Sequence, residues 1–153
     1  MPRKTKRAED FLALVPKCRW EVVGFSQETF RRREQLALRV WEVGKDGDYY
    51  LTGHGANMPS RLWAEALPHI EAAVECKGAY AAAIPKGGGQ ELRVSRGRYC
   101  ESDVVSVRVF RETLDNGPLP SRNGLTARPE VWRAILPYLL SLLEDQAADA
   151  AAA

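Results

Sequence analysis

"GLTARPEVWRAILPYLLSLL" occupies Gly124 to Leu143, and "GANMPSRLWAEALPHIEAAV" occupies Gly55 to Val74. Laid in register, Trp63 falls on Trp132, and the same offset of 69 positions runs along nearly the whole chain without a gap. It carries Pro16 and Lys17 onto Pro85 and Lys86, Arg39 and Val40 onto Arg108 and Val109, Asp46 onto Asp115, and Gly55 onto Gly124. Chemical class is kept where identity is lost: Phe11 with Tyr80, Phe30 with Tyr99, Trp41 with Phe110. Rare Trp, Pro and Gly residues falling together make chance a poor explanation, so the chain reads as a tandem duplication. The units span about residues 8–76 and 77–146, between a basic tail at 1–7 and an alanine-rich tail at 147–153, both expected to be disordered.

Each unit closes with an amphipathic helix. Leu62, Trp63, Ala66, Leu67, Ile70, Ala73 and Val74 share one helical face, as do Val131, Trp132, Ile135, Leu136, Leu139, Leu142 and Leu143. Pro68 and Pro137 lie inside these helices, where a lost backbone bond and a steric clash cost ~3 kcal/mol, so a bend or break is expected at both. Upstream the period is two. "LALRVW" (36–41) sets Leu36, Leu38 and Val40 against Ala37, Arg39 and Trp41, and "VSVRVF" (105–110) repeats the pattern. "CRWEVVGF", "YYLTG", "ELRVSRGRY" and "GPLPSRNG" read as further strands, with turns at "KDGD" and "DNG" and a flexible linker at "PKGGGQ". The fold class is α+β, several antiparallel strands followed by one helix, twice over.

The 153 residues, 45% of them hydrophobic, suffice for a packed core, and the net charge of +2 decides nothing by itself. No apolar run approaches the roughly 20 residues that cross a bilayer, and the basic N-terminus lacks a secretory h-region, so the expectation is an intracellular protein with no membrane partner. Cys18, Cys76 and Cys100 have no paired spacing and no clustered histidine, which points to reduced thiols and to no metal. With only His54 and His69, and with no phosphate-loop spacing in "GKDGD" or "KGGGQ", there is little from which to build an enzyme, and no cofactor is expected.

The strand face opposite the core should be wet and polar, yet in both units it carries an arginine with an aromatic two residues on: Arg39 with Trp41, Arg108 with Phe110. Exposed rings beside guanidinium groups form a platform on which unpaired bases stack while the cation meets phosphate. Ahead of the first pair lies the basic turn "FRRR", Phe30 to Arg33; ahead of the second, Arg96 and Arg98 precede Tyr99. Arginines on an exposed strand face also serve ordinary solvation and edge protection, and both readings stand at this point.

The stretch "DVVSVRVFRETLDNGPLPSRNGLTARPEVWRAI", Asp103 to Ile135, resembles the C-terminal domain of the eukaryotic transcriptional coactivator positive cofactor four and its bacterial and phage relatives. Arg108, Phe110, Gly117, Pro120, Arg122, Gly124, Leu125, Thr126, Pro129, Glu130 and Trp132 fit that family's pattern; Phe30, Arg31, Arg33, Arg39, Trp41, Gly55 and Trp63 fit it more loosely. The resemblance implies a strongly curved four-stranded antiparallel sheet followed by one helix in each unit. It implies that the two units pack through their helices as an intramolecular pseudo-dimer, and that single-stranded or melted DNA is bound along the outer sheet with little sequence preference. The family's second strand aromatic is replaced by Glu42 and by Arg111, and its basic loop keeps one cation, Arg122, in the second unit and only His54 in the first.

The expected function is therefore non-catalytic binding of single-stranded DNA or RNA, in the company of transcription, replication or repair machinery. Arg31, Arg33, Arg39, Arg108 and Arg122, with Arg98 and Arg111, are expected on phosphates, and Phe30, Tyr99, Trp41 and Phe110 on bases. The alternative is a protein-interaction module that keeps the scaffold with a degraded nucleic-acid surface, favoured by the apolar second helix and the lost aromatic position.

Overall fold

The computed structural model describes residues 4–152. Two short pieces lead in: strand β1 (Thr5–Lys6) and a 3₁₀ turn (Ala8–Asp10). Then come β2 (Ala13–Pro16), β3 (Glu21–Phe30), β4 (Arg33–Val43), β5 (Tyr49–Met58) and helix α1 (Ser60–Glu75). The order repeats as β6 (Tyr80–Gly87), β7 (Gln90–Tyr99), β8 (Ser102–Thr113), β9 (Gly117–Ala127) and α2 (Pro129–Ala152). The protein is α+β, and all strands join one curled sheet in the order β2-β3-β4-β5-β9-β8-β7-β6, with β1 added to β5. Pairing is antiparallel except where β5 meets β9, a short parallel contact of Gly55 with Asn123 and Gly124. The Asn123 side-chain amide secures that seam: its Oδ1 accepts from the Asn57 N–H at 2.8 Å and its Nδ2 donates to the Asn57 carbonyl at 3.0 Å. Sequence reasoning expected contact through the helices and did not foresee this strand-to-strand seam.

The period-two pattern sets the layers. Leu36, Leu38 and Val40 of β4 and Val105, Val107 and Val109 of β8 are all buried, beneath both helices in one continuous core. Burying side chains of this size stabilises by about 1.5–3 kcal/mol each. Each helix is pinned at its start by a buried indole. Trp63 Nε1 donates to the Leu36 carbonyl and Trp132 Nε1 to the Val105 carbonyl, both at 2.8 Å. Beyond that anchor α1 runs chiefly over β6 and β7, strands that follow it in sequence, while α2 reaches back to β2. Arg96 of β7 donates to the Ala73 and Val74 carbonyls at 3.1 and 2.9 Å, capping the C-terminus of α1. The helices also touch each other, Ser60 bonding Gln146 and Arg133 lying 3.8 Å from Glu75. Among the described residues no helix is long and apolar enough to cross a membrane.

The equivalent glycines have a shared cause. The register of β4 on β5 shifts between Arg39 and Trp41, and that of β8 on β9 between Arg108 and Phe110. A hydroxyl serves the carbonyl within each irregularity: Thr52 Oγ1 donates to Val40 at 2.8 Å and Ser121 Oγ to Val109 at 2.7 Å. Each hydroxyl also accepts from the N–H two residues on, at His54 and Asn123. Opposite lies Gly55, with φ of 144°, where a Cβ would come within 2.5 Å of the Arg39 Cα; at Gly124 it would meet the Arg108 side chain at 2.6 Å.

Four expectations need correction. "PKGGGQ" is a hairpin turn joining β6 to β7, with Gly87, Gly88 and Gly89 all at positive φ, rather than a linker. Of the bend or break expected at Pro68 and Pro137, the break does not occur: both helices continue through the proline, held by buried side chains on both sides, such as Trp63 and Ile70. The 147–152 stretch continues α2. In the basic tail Arg3 lies outside the described residues, but Thr5 and Lys6 pair with Tyr50 and Tyr49.

Two substitutions probe this frame. Gly55→Ala should lower stability by about 1–3 kcal/mol through overpacking against the β4 backbone, read as a fall in urea midpoint by circular dichroism. Trp63→Phe and Trp132→Phe each remove a buried donor and should cost about 1–3 kcal/mol without changing the dependence on urea.

Candidate nucleic-acid interface

The expected stacking platform on the outer sheet does not exist in the first half. Trp41 is only 1% exposed. Phe11 lies edge-on against it at 5.2 Å and against Tyr49 at 5.5 Å, with the Lys6 ammonium 5.3 and 5.6 Å from the Phe11 and Trp41 rings. The segment from β1 to Phe11 thus forms a strap across the sheet, and Gly24 leaves room for it, since a Cβ there would collide with Phe11 at 2.5 Å. Nor is Arg39 free for phosphate: Nε and Nη2 donate to the Glu28 carboxylate at 2.8 and 3.3 Å. Burial pushes the Glu28 pKa up, but the Arg39 hydrogen bond and charge, with Lys4 and Lys6, hold it below its ordinary value.

In the second half the outer face is more open. Phe110 is half-buried under the Arg93 guanidinium, 4.2 Å from its centroid, where Arg93 stands at the position equivalent to Gly24. Arg108 Nη1 donates to the Ser121 carbonyl at 2.9 Å, and with His54 and Arg122 it lines a groove along the seam of β5 and β9. Tyr99 is 71% exposed. Its neighbour Arg98, also exposed, donates to the Glu101 carbonyl at 2.7 Å and lies 4.0 Å from Asp103.

The turn between β3 and β4 is where predicted residues converge. Arg31 and Arg32 take φ of 50° and 64°, as a two-residue hairpin turn matched to the strand twist requires. For residues with a Cβ this left-handed backbone costs roughly 1–2 kcal/mol each. The turn presents Phe30, 54% exposed, with the Arg31 guanidinium 5.2 Å from its ring, and places Arg33 opposite Phe30. Behind it opens a cleft of about 470 Å³ that Phe30, Arg31 and Arg33 share with Arg61 of α1 and Lys86 of β6. No carboxylate lines it, and none of these four cations makes an ion pair among the described residues. Burial and then the charge of Arg111 hold the Lys86 pKa below its ordinary value.

The structurally equivalent cleft in the second half is different in kind. Cys100 and Glu101 form its turn with the same positive φ, and Ser102 and Glu130 stand where the first half has Arg33 and Arg61. Arg96, which also lines it, is bound to Asp103 at 2.7 Å, and that hydrogen bond holds the Asp103 pKa below its ordinary value.

Arg61 and Lys86 were missed by sequence reasoning, because only the fold brings the start of α1 and the β6 hairpin to the FRRR turn. Also missed was Trp20, 62% exposed with the Arg19 guanidinium 4.9 Å from its ring, in the turn from β2 to β3. The adjacent Arg-Trp letters were its only signal. The three cysteines are free thiols, and among the described residues no three His, Cys, Asp or Glu side chains gather as a metal site would need. The chain matches no protein-family model and no curated protein.

Proposed function

We propose that this protein is a non-catalytic binder of single-stranded nucleic acid whose two halves form an intramolecular pseudo-two-fold pair, as the resemblance to positive cofactor four implies. The pairing is supported by matched features 69 positions apart: the Trp63 and Trp132 bonds, the two bulges and the two positive-φ turns. The nucleic-acid reading rests above all on the cleft behind the FRRR turn, where four cations converge without a carboxylate beside an exposed phenylalanine. Arg31 and Arg33 meet phosphates and Phe30 takes a base, a pairing worth roughly 1–3 kcal/mol per stacked base. Arg108, Arg122 and Arg111 contribute longer-range attraction, Tyr99 and Phe110 offer secondary rings, and Arg39 and Trp41 serve the scaffold. A second reading, a protein-interaction module, is favoured by one observation: Tyr138 and Leu140 of α2 are exposed.

Fluorescence anisotropy with labelled oligo-dT separates the two. Wild type should bind at low salt, and Arg31→Ala/Arg33→Ala should weaken binding at least about tenfold while making the log-log salt slope shallower by roughly 1.4, at about 0.7 per lost phosphate contact. Arg39→Ala should act on stability more than on affinity. No binding at low salt, or an unchanged slope in the double variant, counts for the interaction module instead. Replacing the turn by Arg31→Asn/Arg32→Gly should stabilise the fold by about 1–2 kcal/mol, because those residues tolerate positive φ, while lowering oligonucleotide affinity. Urea titration and anisotropy on one preparation measure both.

A further inference from the structure

The cleft behind the FRRR turn carries more positive charge than the passage of a strand requires. A phosphodiester brings one negative charge. A phosphomonoester at a strand end brings about −1.5 to −2 near neutral pH, with three strong acceptor oxygens. Arg31 and Arg33 come from the turn, Arg61 from the first turn of α1 and Lys86 from the second half of the chain, so three elements aim cations into one concavity. Its volume of about 470 Å³ suits a nucleotide-sized group, since small-molecule sites run to roughly 300–1,000 Å³. Guanidinium forks match the oxygens of a terminal phosphate in number and geometry.

The second half supplies an internal control. There the start of β8 and the start of α2 line a cleft in which Glu130 replaces Arg61, Ser102 replaces Arg33, and Arg96 is bound by Asp103. That cleft also holds Arg128 and Arg133, but Asp103 and Glu130 line it with them, so cations gathered without any lining carboxylate distinguish the first-half cleft from its counterpart.

We infer that the cleft of Arg31, Arg33, Arg61 and Lys86 receives the phosphomonoester at the end of a single strand, with the terminal base against Phe30. This rests on the single-strand reading above and adds to it a preference for strand ends. The donors are shared by 5′- and 3′-phosphates, and the measurement distinguishes them.

Anisotropy is measured on three internally labelled oligo-dT strands of equal length, bearing a 5′-phosphate, a 3′-phosphate or hydroxyls at both ends. One phosphorylated strand should bind wild type about tenfold more tightly than the hydroxyl-ended strand, as one further charge-assisted hydrogen bond allows; which one it is identifies the end. Arg61→Gln/Lys86→Gln should bring that ratio close to one, with folding checked by circular dichroism. Equal affinities for all three strands in wild type overturn the inference and leave the single-strand reading standing. A ratio that survives the double change overturns the assignment to this cleft. If no strand binds at low salt, both readings fall together.

Discussion

The bond from each buried indole to a strand carbonyl is the constraint on which the arrangement depends. Trp63 and Trp132 fix the first turn of α1 and α2 to the strands carrying Leu36 and Val105. A ring that is wholly buried and whose N–H has one available acceptor can take few orientations, so the helix axis is set at its start. With that end fixed, the rest of α1 passes onto β6 and β7, and its C-terminus meets Arg96. The helix thus completes a core that neither run of strands encloses alone, which is how small sheets of this kind escape the poor surface-to-volume ratio of short chains.

The bulges follow from the same frame and decide what the outer face can do. By shifting register between Arg39 and Trp41, and between Arg108 and Phe110, they bend the long strands and bring β5 and β9 together at Gly55 and Gly124. Thr52 and Ser121 supply the hydrogen bonds that the bulges take from the ladder, so the bends are built in rather than tolerated. The arginine beside each bulge is then confined, Arg39 by Glu28 and Arg108 by the Ser121 carbonyl. Side chains that alternation alone marks as exposed are in this way drawn into the scaffold.

How far the sequence could be read follows from the range of the interactions involved. Alternation and helical spacing are local, and they placed β4, β8, α1 and α2; further segments were read within β3, β5, β7 and β9, while the short β1 and β2 and the alanine-rich β6 were not read as strands. The FRRR turn was legible because aromatic and cation adjoin in the chain. Trp41 was misread because its cover, Phe11, comes from thirty residues earlier and leaves no trace in the pattern of β4. Arg39 was misread because its partner, Glu28, lies across a strand pair whose register single-sequence reasoning does not supply. Three successive glycines suggested slack in "PKGGGQ", yet positive φ at each is what a tight hairpin turn demands, and that turn positions Lys86.

Carrying both turns in one chain permits such asymmetry. In a dimer of identical chains both turns carry the same residues, and a substitution that neutralises one cleft neutralises the other. Within one chain the two turns share their strained backbone, but Arg31 and Arg32 occupy one while Cys100 and Glu101 occupy the other. The scaffold imposes the conformation and its cost on both, so the strain alone selects neither composition. The second turn instead gains internal partners, with Arg96 joining Asp103 to the end of α1, while the first keeps its cations exposed. One half thereby contributes more to holding the helices, and in the other Arg31, Arg33, Arg61 and Lys86 make no ion pair among the described residues. That division is the physical ground for proposing the FRRR turn, and not its twin, as the binding site.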